Sequence, residues 1–119
     1  MKSRPSTRSA DIVVVVPEGR LDALAAPELE RTLAAHVQTT KQIIVNMSRT
    51  SYVSSSCLRV LVMYARRLRQ AGGDLRLCSL SEKVQRVLGI AGLDTLFAIF
   101  ADEDQAVRTC LSERADDPG

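Results

Sequence analysis

The stretch Lys41–Gly73, KQIIVNMSRTSYVSSSCLRVLVMYARRLRQAGG, constrains this chain more than any other. Ile43, Ile44 and Val45 are consecutive β-branched residues, a run suited to a strand covered on both faces. Met47–Val53 then turns polar and reads as a turn. Ser54, Ser55 and Ser56 stand where the next helix must begin, and serine is a preferred N-cap. Leu58, Leu61, Val62, Ala65 and Leu68 follow at helical spacing, with Arg59, Arg66 and Gln70 on the opposite face. Gly72 and Gly73 end the helix, because glycine takes the left-handed conformation of a C-terminal cap. A strand that feeds a helix through a hydroxyl-rich turn suits phosphate chemistry.

The flanking sequence repeats the strand-then-helix theme. Residues 1–10 are basic and polar and read as a flexible lead-in or a short edge strand. Asp11–Val16, with four valines in succession, is a strand, closed by the turn Pro17, Glu18, Gly19. Arg20–Leu24 briefly resumes extended structure. Ala25–Val37 is a helix, with Pro27 in its first turn and Glu28 and Glu30 at its positive end. Leu29, Leu33 and Val37 form its buried face, and His36 sits beside that stripe, partly exposed.

After Gly73, Asp74–Leu80 is a third strand in which Leu75, Leu77 and Cys78 are apolar. Ser79 or Ser81 caps the next helix, and Glu82 completes a capping box if Ser79 is the cap. Val84, Val87 and Leu88 form that helix's core face, and it ends near Gly89 or Gly92. Leu96–Ala101 is a short apolar strand. Asp102, Glu103 and Asp104 open a last helix, with Ala106, Val107, Cys110 and Leu111 buried, before a polar tail at 114–119. The alternation predicts one α/β domain over residues 11–113, with mostly parallel strands and right-handed crossovers.

Composition narrows the function. With no Trp, two Tyr and two Phe, the chain lacks a stacking surface for single-stranded nucleic acid. A formal net charge of +2 implies no nucleic-acid partner. No apolar run approaches the roughly 18 residues of a membrane span, and the N-terminal segment has no signal-peptide core, so a cytoplasmic protein is expected. The three cysteines, Cys57, Cys78 and Cys110, show no CxxC spacing. With His36 as the one histidine, neither a zinc site nor any other metal site is expected. Cys78 and Cys110 read as small buried hydrophobes, whereas Cys57 sits at a helix N-terminus, where a thiolate would be stabilised.

No phosphate-binding glycine loop, nucleophile elbow or paired carboxylates occur, so no enzyme and no cofactor are expected. The serine run remains. First-turn N–H groups lack helical partners and the helix dipole favours negative charge, so a phosphoserine would be held there. From these residues alone the alternative stays open that all three serines merely cap the helix. Arg59, Arg66 and Arg67 read either as a patch for an acidic partner or as a solvated helix face.

Three segments carry a resemblance when taken in order. They are GRLDALAAPELERTL, then IIVNMSRTSYVSSSCLRVLVMYARRLRQAGGDLRLCSLSEKVQRVLGIAGLDTLF, then DEDQAV. From about Val13 to Leu111 the chain resembles the STAS-domain anti-sigma factor antagonists. The resemblance implies a mixed, mostly parallel sheet of four to five strands with about four helices. It also implies a non-enzymatic antagonist. Unphosphorylated, such a protein binds an anti-sigma factor that is also a serine kinase and frees the sigma factor. Phosphorylation breaks that complex, and a serine phosphatase restores it. The family pattern at the turn is Asp-Ser-Ser-Gly-Leu; here it is Ser54, Ser55, Ser56, Cys57, Leu58, which puts Ser55 on the phosphorylated serine. Asp22 matches a family acid, and Asn46 stands where an Asp is usual. With Ser54, Ser56, Cys57 and Arg59 these are expected to flank the site or meet the partner.

Three readings stay open at this point. One is a phospho-switched antagonist that docks through the N-terminal half of the helix from Ser54 to Leu68. A second is an unswitched STAS scaffold in a signalling or transporter-associated complex. A third is a redox-sensitive variant using Cys57.

Overall fold

A computed structural model describes residues 1–115. Its centre is a five-stranded sheet in the order β1 (Lys2–Pro5), β2 (Ile12–Val16), β4 (Gln42–Asn46), β6 (Asp74–Cys78), β7 (Ala98–Phe100). β1 runs antiparallel to β2 and every other pairing is parallel. A separate parallel pair joins β3 (Gly19–Leu21) to β5 (Thr50–Val53). The helices are α1 (Ala26–His36), α2 (Ser55–Gln70), α3 (Glu82–Ile90) and α4 (Glu103–Ala115), with a 3-10 turn at Ala23–Ala25. Thus the sheet is mixed and mostly parallel, and the lead-in supplies its edge strand.

The consecutive β-branched runs are buried on both faces because helices cover both. Side chains alternate along a strand. Val13, Val15, Ile43, Val45, Leu75 and Leu77 join α1, α2 and α3 in the larger core. Ile12, Val14, Ile44 and Cys78 face the other way and meet Ala106, Val107 and Cys110 of α4. Among the described residues, α4 is the one helix on that side.

Arg76 points under α4 and is 2% exposed. Its guanidinium donates to Gln42 Oε1 at 2.6 Å and to Glu113, and contacts Cys110 Sγ at 3.0 Å. The buried charge is therefore paired, with Nε left without a hydrogen-bond partner among the described residues. The alternating pattern of DLRLC suggested a polar partner at this position, but α4 covers the face on which it falls.

Two local expectations need correction, and one open alternative resolves. The polar stretch after Met47 is not all turn, because Thr50–Val53 forms β5. Thr, Tyr and Val favour extended backbone, and Thr50 Oγ1 fastens the strand start to the Pro17 carbonyl at 3.0 Å. Ser81, not Ser79, caps α3: its Oγ accepts from Val84 N at 3.2 Å, while Ser79 has φ 59°. Glu82 is then the first helical residue, and no Ser79–Glu82 capping box forms. Finally, α4 runs through Ala115, into the expected polar tail, and 116–119 lie outside the described residues.

Gly72 and Gly73 do different jobs at the end of α2. Gly72 has φ +90° with open space around it. Gly73 donates to the Leu68 carbonyl at 2.8 Å, and a Cβ on it would fall 1.7 Å from the Lys41 carbonyl oxygen. Urea unfolding should therefore rank the two alanine variants. Gly73→Ala costs about 3 kcal/mol through backbone displacement, whereas Gly72→Ala costs about 1–2 kcal/mol of left-handed strain.

Candidate functional site

The parallel pairing of β3 with β5 sets Leu21 opposite Val53, so the next residues, Asp22 and Ser54, emerge side by side. That register brings GRLD and SSSC together across the intervening helix and strand. Ser54 N donates to the Leu21 carbonyl at 2.7 Å. Ser54 is the N-cap of α2, with φ −82° and ψ 163°, and its Oγ accepts from Cys57 N at 3.2 Å. Its own carbonyl accepts from Leu58 N at 2.9 Å. At 8% exposure, Ser54 is buried and its oxygens are occupied in starting the helix.

The three serines are thereby separated by role. Ser55 is the first helical residue and is exposed; Ser56 is half-buried. The first turn of α2 contains no acidic side chain. Its orphan N–H groups and the positive end of a 16-residue helix face the region around the Ser55 hydroxyl. Arg59 lies one turn further along the same face and is exposed, as are Met63 and Arg66 beyond it. Arg67 lies 5.5 Å from the centre of the Tyr64 ring.

Asp22 turns its carboxylate back on its own loop. Oδ1 accepts from Leu24 N at 3.1 Å and from Ala25 N at 3.2 Å, capping the 3-10 turn. This leaves Leu24 89% exposed beside the N-terminus of α2. Leu24 is not among the residues expected at the site, since Arg20–Leu24 reads as extended structure, whereas Leu24 falls in the 3-10 turn Ala23–Ala25. Its only signal is that it precedes the spacing of Leu29 and Leu33.

Cys57 is fully buried, and its Sγ donates to the Asp22 carbonyl at 3.4 Å. Burial pushes this thiol up, Ser54's side chain pulls the other way, and Asp22's charge adds to the rise. The stabilised thiolate expected at this helix end is therefore not formed, because desolvation outweighs the helix terminus. Cys78 and Cys110 are buried and free as well, and burial pushes Cys78 up to about 11.

Asn46 is not part of this cluster. It shares the α4-facing side of β4 with Ile44. Its Nδ2 donates to Glu103 Oε1 at 3.0 Å, and its Oδ1 accepts from Ser48 N at 3.0 Å. The expectation that Asn46 flanks the phosphoacceptor gives way to a role in seating the start of α4. Arg4 completes that anchor, its Nη2 2.7 Å from Glu103 Oε1. His36, half-buried, lies with Nε2 2.9 Å from Ser3 Oγ, away from the serine turn. Among the described residues no group of three or more His, Cys, Asp or Glu side chains is placed to hold a metal. Nor is any described helix long and apolar enough to cross a membrane.

Two outcomes follow. Ser54→Ala should lower unfolding stability by about 1 kcal/mol, measured in urea, through loss of the cap. The second concerns Glu103. Burial pushes its carboxyl up, but hydrogen bonds from Arg4 and Asn46 and the charge of Arg4 outweigh this and hold it below its ordinary 4.5. Its contribution to stability is full above that ordinary value and fades as pH falls through the lowered one. Asn46→Ala should raise the Glu103 midpoint in a carboxyl-carbon NMR titration and leave the resonances of Ser54, Ser55 and Ser56 in place.

Known proteins share this family and fold. The STAS domain family matches residues 4–106. BtrV of Bordetella bronchiseptica, named as an anti-sigma factor antagonist, is 31% identical over 96 residues, 80% of this chain and 83% of that protein. The anti-sigma-B factor antagonist of Staphylococcus aureus is 33% identical over 82 residues, 68% of this chain and 76% of that one. Among solved structures, unphosphorylated SpoIIAA superposes with a TM-score of 0.78 at 22% identity, covering 93% of this chain and 97% of its own. Its phosphorylated form, from Bacillus, gives 0.69 at 22% identity, covering 91% and 98%. The chain belongs to the STAS domain family, in the company of the anti-sigma factor antagonists.

Proposed function

We propose that this protein is an anti-sigma factor antagonist switched by phosphorylation at Ser55. In this reading it binds an anti-sigma factor that is also a serine kinase, and binding frees the sigma factor. The single observation that carries the reading is the exposure of Ser55 as the first residue of α2, next to a buried serine that does the capping. A kinase can reach Ser55 without dismantling the cap. The names of the Bordetella and Staphylococcus relatives, and the existence of a phosphorylated SpoIIAA, support the same role.

The covalent step belongs to the kinase. Ser55 Oγ attacks the γ-phosphorus of ATP, the new Oγ–P bond forms as the bond to the β,γ-bridging oxygen breaks, and ADP departs. The hydroxyl proton passes to a base on the kinase. A serine phosphatase reverses the modification with water. The antagonist itself has no catalytic part in either step.

Phosphate brings about −1.5 to −2 charges to the middle of the docking face. The orphan N–H groups and Arg59 stabilise the dianion on the free protein, so little stability is lost. A partner pressed against the same spot meets an added charge that it must desolvate, and the complex is expelled. The departure from the family's Asp at Ser54 fits this account, because serine caps the helix without placing a like charge beside the phosphate. The burial of Cys57 speaks against the redox reading.

Incubation with the cognate anti-sigma kinase and ATP, followed by mass spectrometry, tests the proposal. One phosphate is expected on Ser55, none on Ser55→Ala, and Ser55→Ala should still bind the kinase. Ser55→Asp should bind about tenfold more weakly or worse. Tight binding with no label on Ser55 would overturn the switch and leave an unswitched scaffold.

A further inference from the structure

The start of α2, proposed above as the docking face, packs beside a second piece of chain, so that two pieces meet here. One is the turn Asp22–Ala25, which holds Leu24 89% exposed. The other is the first turn of α2, which holds Ser55. Short turns of this kind open easily, and a mobile Leu24 would have to be ordered each time a partner bound. Two direct hydrogen bonds hold the chain at Leu21 and Asp22 against the chain at Ser54 and Cys57. Ser54 N reaches the Leu21 carbonyl at 2.7 Å, and Cys57 Sγ reaches the Asp22 carbonyl at 3.4 Å. The first belongs to the junction with β3. The second acts on the turn itself, at the residue whose carbonyl also accepts from Ala25 N at 3.0 Å.

We propose that Cys57 is a positioning residue: its thiol fastens the Asp22–Ala25 turn to the tip of α2, so that Leu24 and Ser55 meet the anti-sigma factor as one rigid surface. This rests on the docking role given above. Three features support it. Cys57 is fully buried within the larger core, so its side chain is held in one orientation. Burial keeps the sulfur protonated, and only the thiol can donate. The Asp22 carboxylate caps the same turn, so a donor at its carbonyl completes a fully bonded unit. Glycine, which the family pattern carries at this position, has no donor to offer. The Cys57 side chain thus serves as a tether rather than as a reactive thiol. The added rigidity lowers the ordering cost of binding.

The test uses the full chain and two readouts, amide hydrogen exchange by NMR and affinity for the cognate anti-sigma factor by calorimetry. In Cys57→Ala, exchange at Leu24 and Ala25 should quicken about fivefold, the factor expected for loss of one weak hydrogen bond. Exchange at Ile44, deep in the sheet, should stay within about twofold once corrected for global stability. Affinity should fall by a similar factor. Cys57→Ser, which keeps a donor, should recover most of both effects. Cys57→Gly carries the same test should the alanine variant not fold. Unchanged exchange at Leu24 and Ala25 in whichever of these variants folds would overturn the tether. Faster exchange with unchanged affinity would overturn its part in docking. If the unmodified protein binds no anti-sigma factor, the reading under Proposed function fails and the docking role of Cys57 falls with it, while the exchange result still decides the tether.

Discussion

The backbone N–H of Ser54 donates to the Leu21 carbonyl at 2.7 Å, and the functional surface is built outward from that bond. It joins the end of β3 to the start of α2, two segments that neither helix periodicity nor sheet order would bring together. With its amide committed there and its hydroxyl committed to Cys57 N, Ser54 initiates the helix and is itself spent. The next residue, Ser55, holds the exposed position at the positive end of the helix without being the side chain that caps it. A structural serine and a modifiable serine thus stand side by side, and burial tells them apart.

The sheet places this surface by covering both of its faces unequally. Three helices pack over Val13, Val15, Ile43, Val45, Leu75 and Leu77, and the helix that carries Ser55 is the most deeply embedded of them. Among the described residues α4 alone covers the opposite face, over a smaller apolar cluster. It is pinned by charge as well as by packing: Glu103 near its start holds Arg4 and Asn46, and Glu113 near its end holds Arg76. Charges buried or half-buried in this way are tolerated because each has partners. The two faces therefore differ in kind, one a broad apolar core that supports the docking surface, the other a thin layer closed by ion pairs.

Most of the architecture was legible in the sequence because its strongest signals are local. Consecutive valines and isoleucines indicate strands covered on both sides, and Gly72–Gly73 closes a helix whose apolar stripe is unbroken from Leu58 to Leu68. What escaped depends on neighbours distant in the chain. Thr50–Val53 becomes a strand only because Gly19–Leu21 lies beside it. Asn46, expected beside the serine turn, instead bonds Glu103 of α4, because both sides of its strand are apolar and alternation gives no inward or outward sense. Arg76 alternates with Leu75 and Leu77 along its strand, and only α4, distant in the chain, covers the face on which it falls. Cys57 was read from its helix position alone, and burial reversed the inference about its acidity. Leu24 resembles the core residues that follow it, and only the capped turn lifts it into solvent.

The central claim is that one dianion at the tip of α2 ejects a bound protein while leaving the antagonist folded. Purified protein carrying phosphate on Ser55 and its unmodified counterpart can be titrated into the same anti-sigma factor by calorimetry, with unfolding followed in parallel. The account predicts an affinity loss of about a hundredfold or more, a cost of several kcal/mol for a charge desolvated in an interface, with unfolding stability changed by less than about 1 kcal/mol. Equal affinities for the two forms would contradict it.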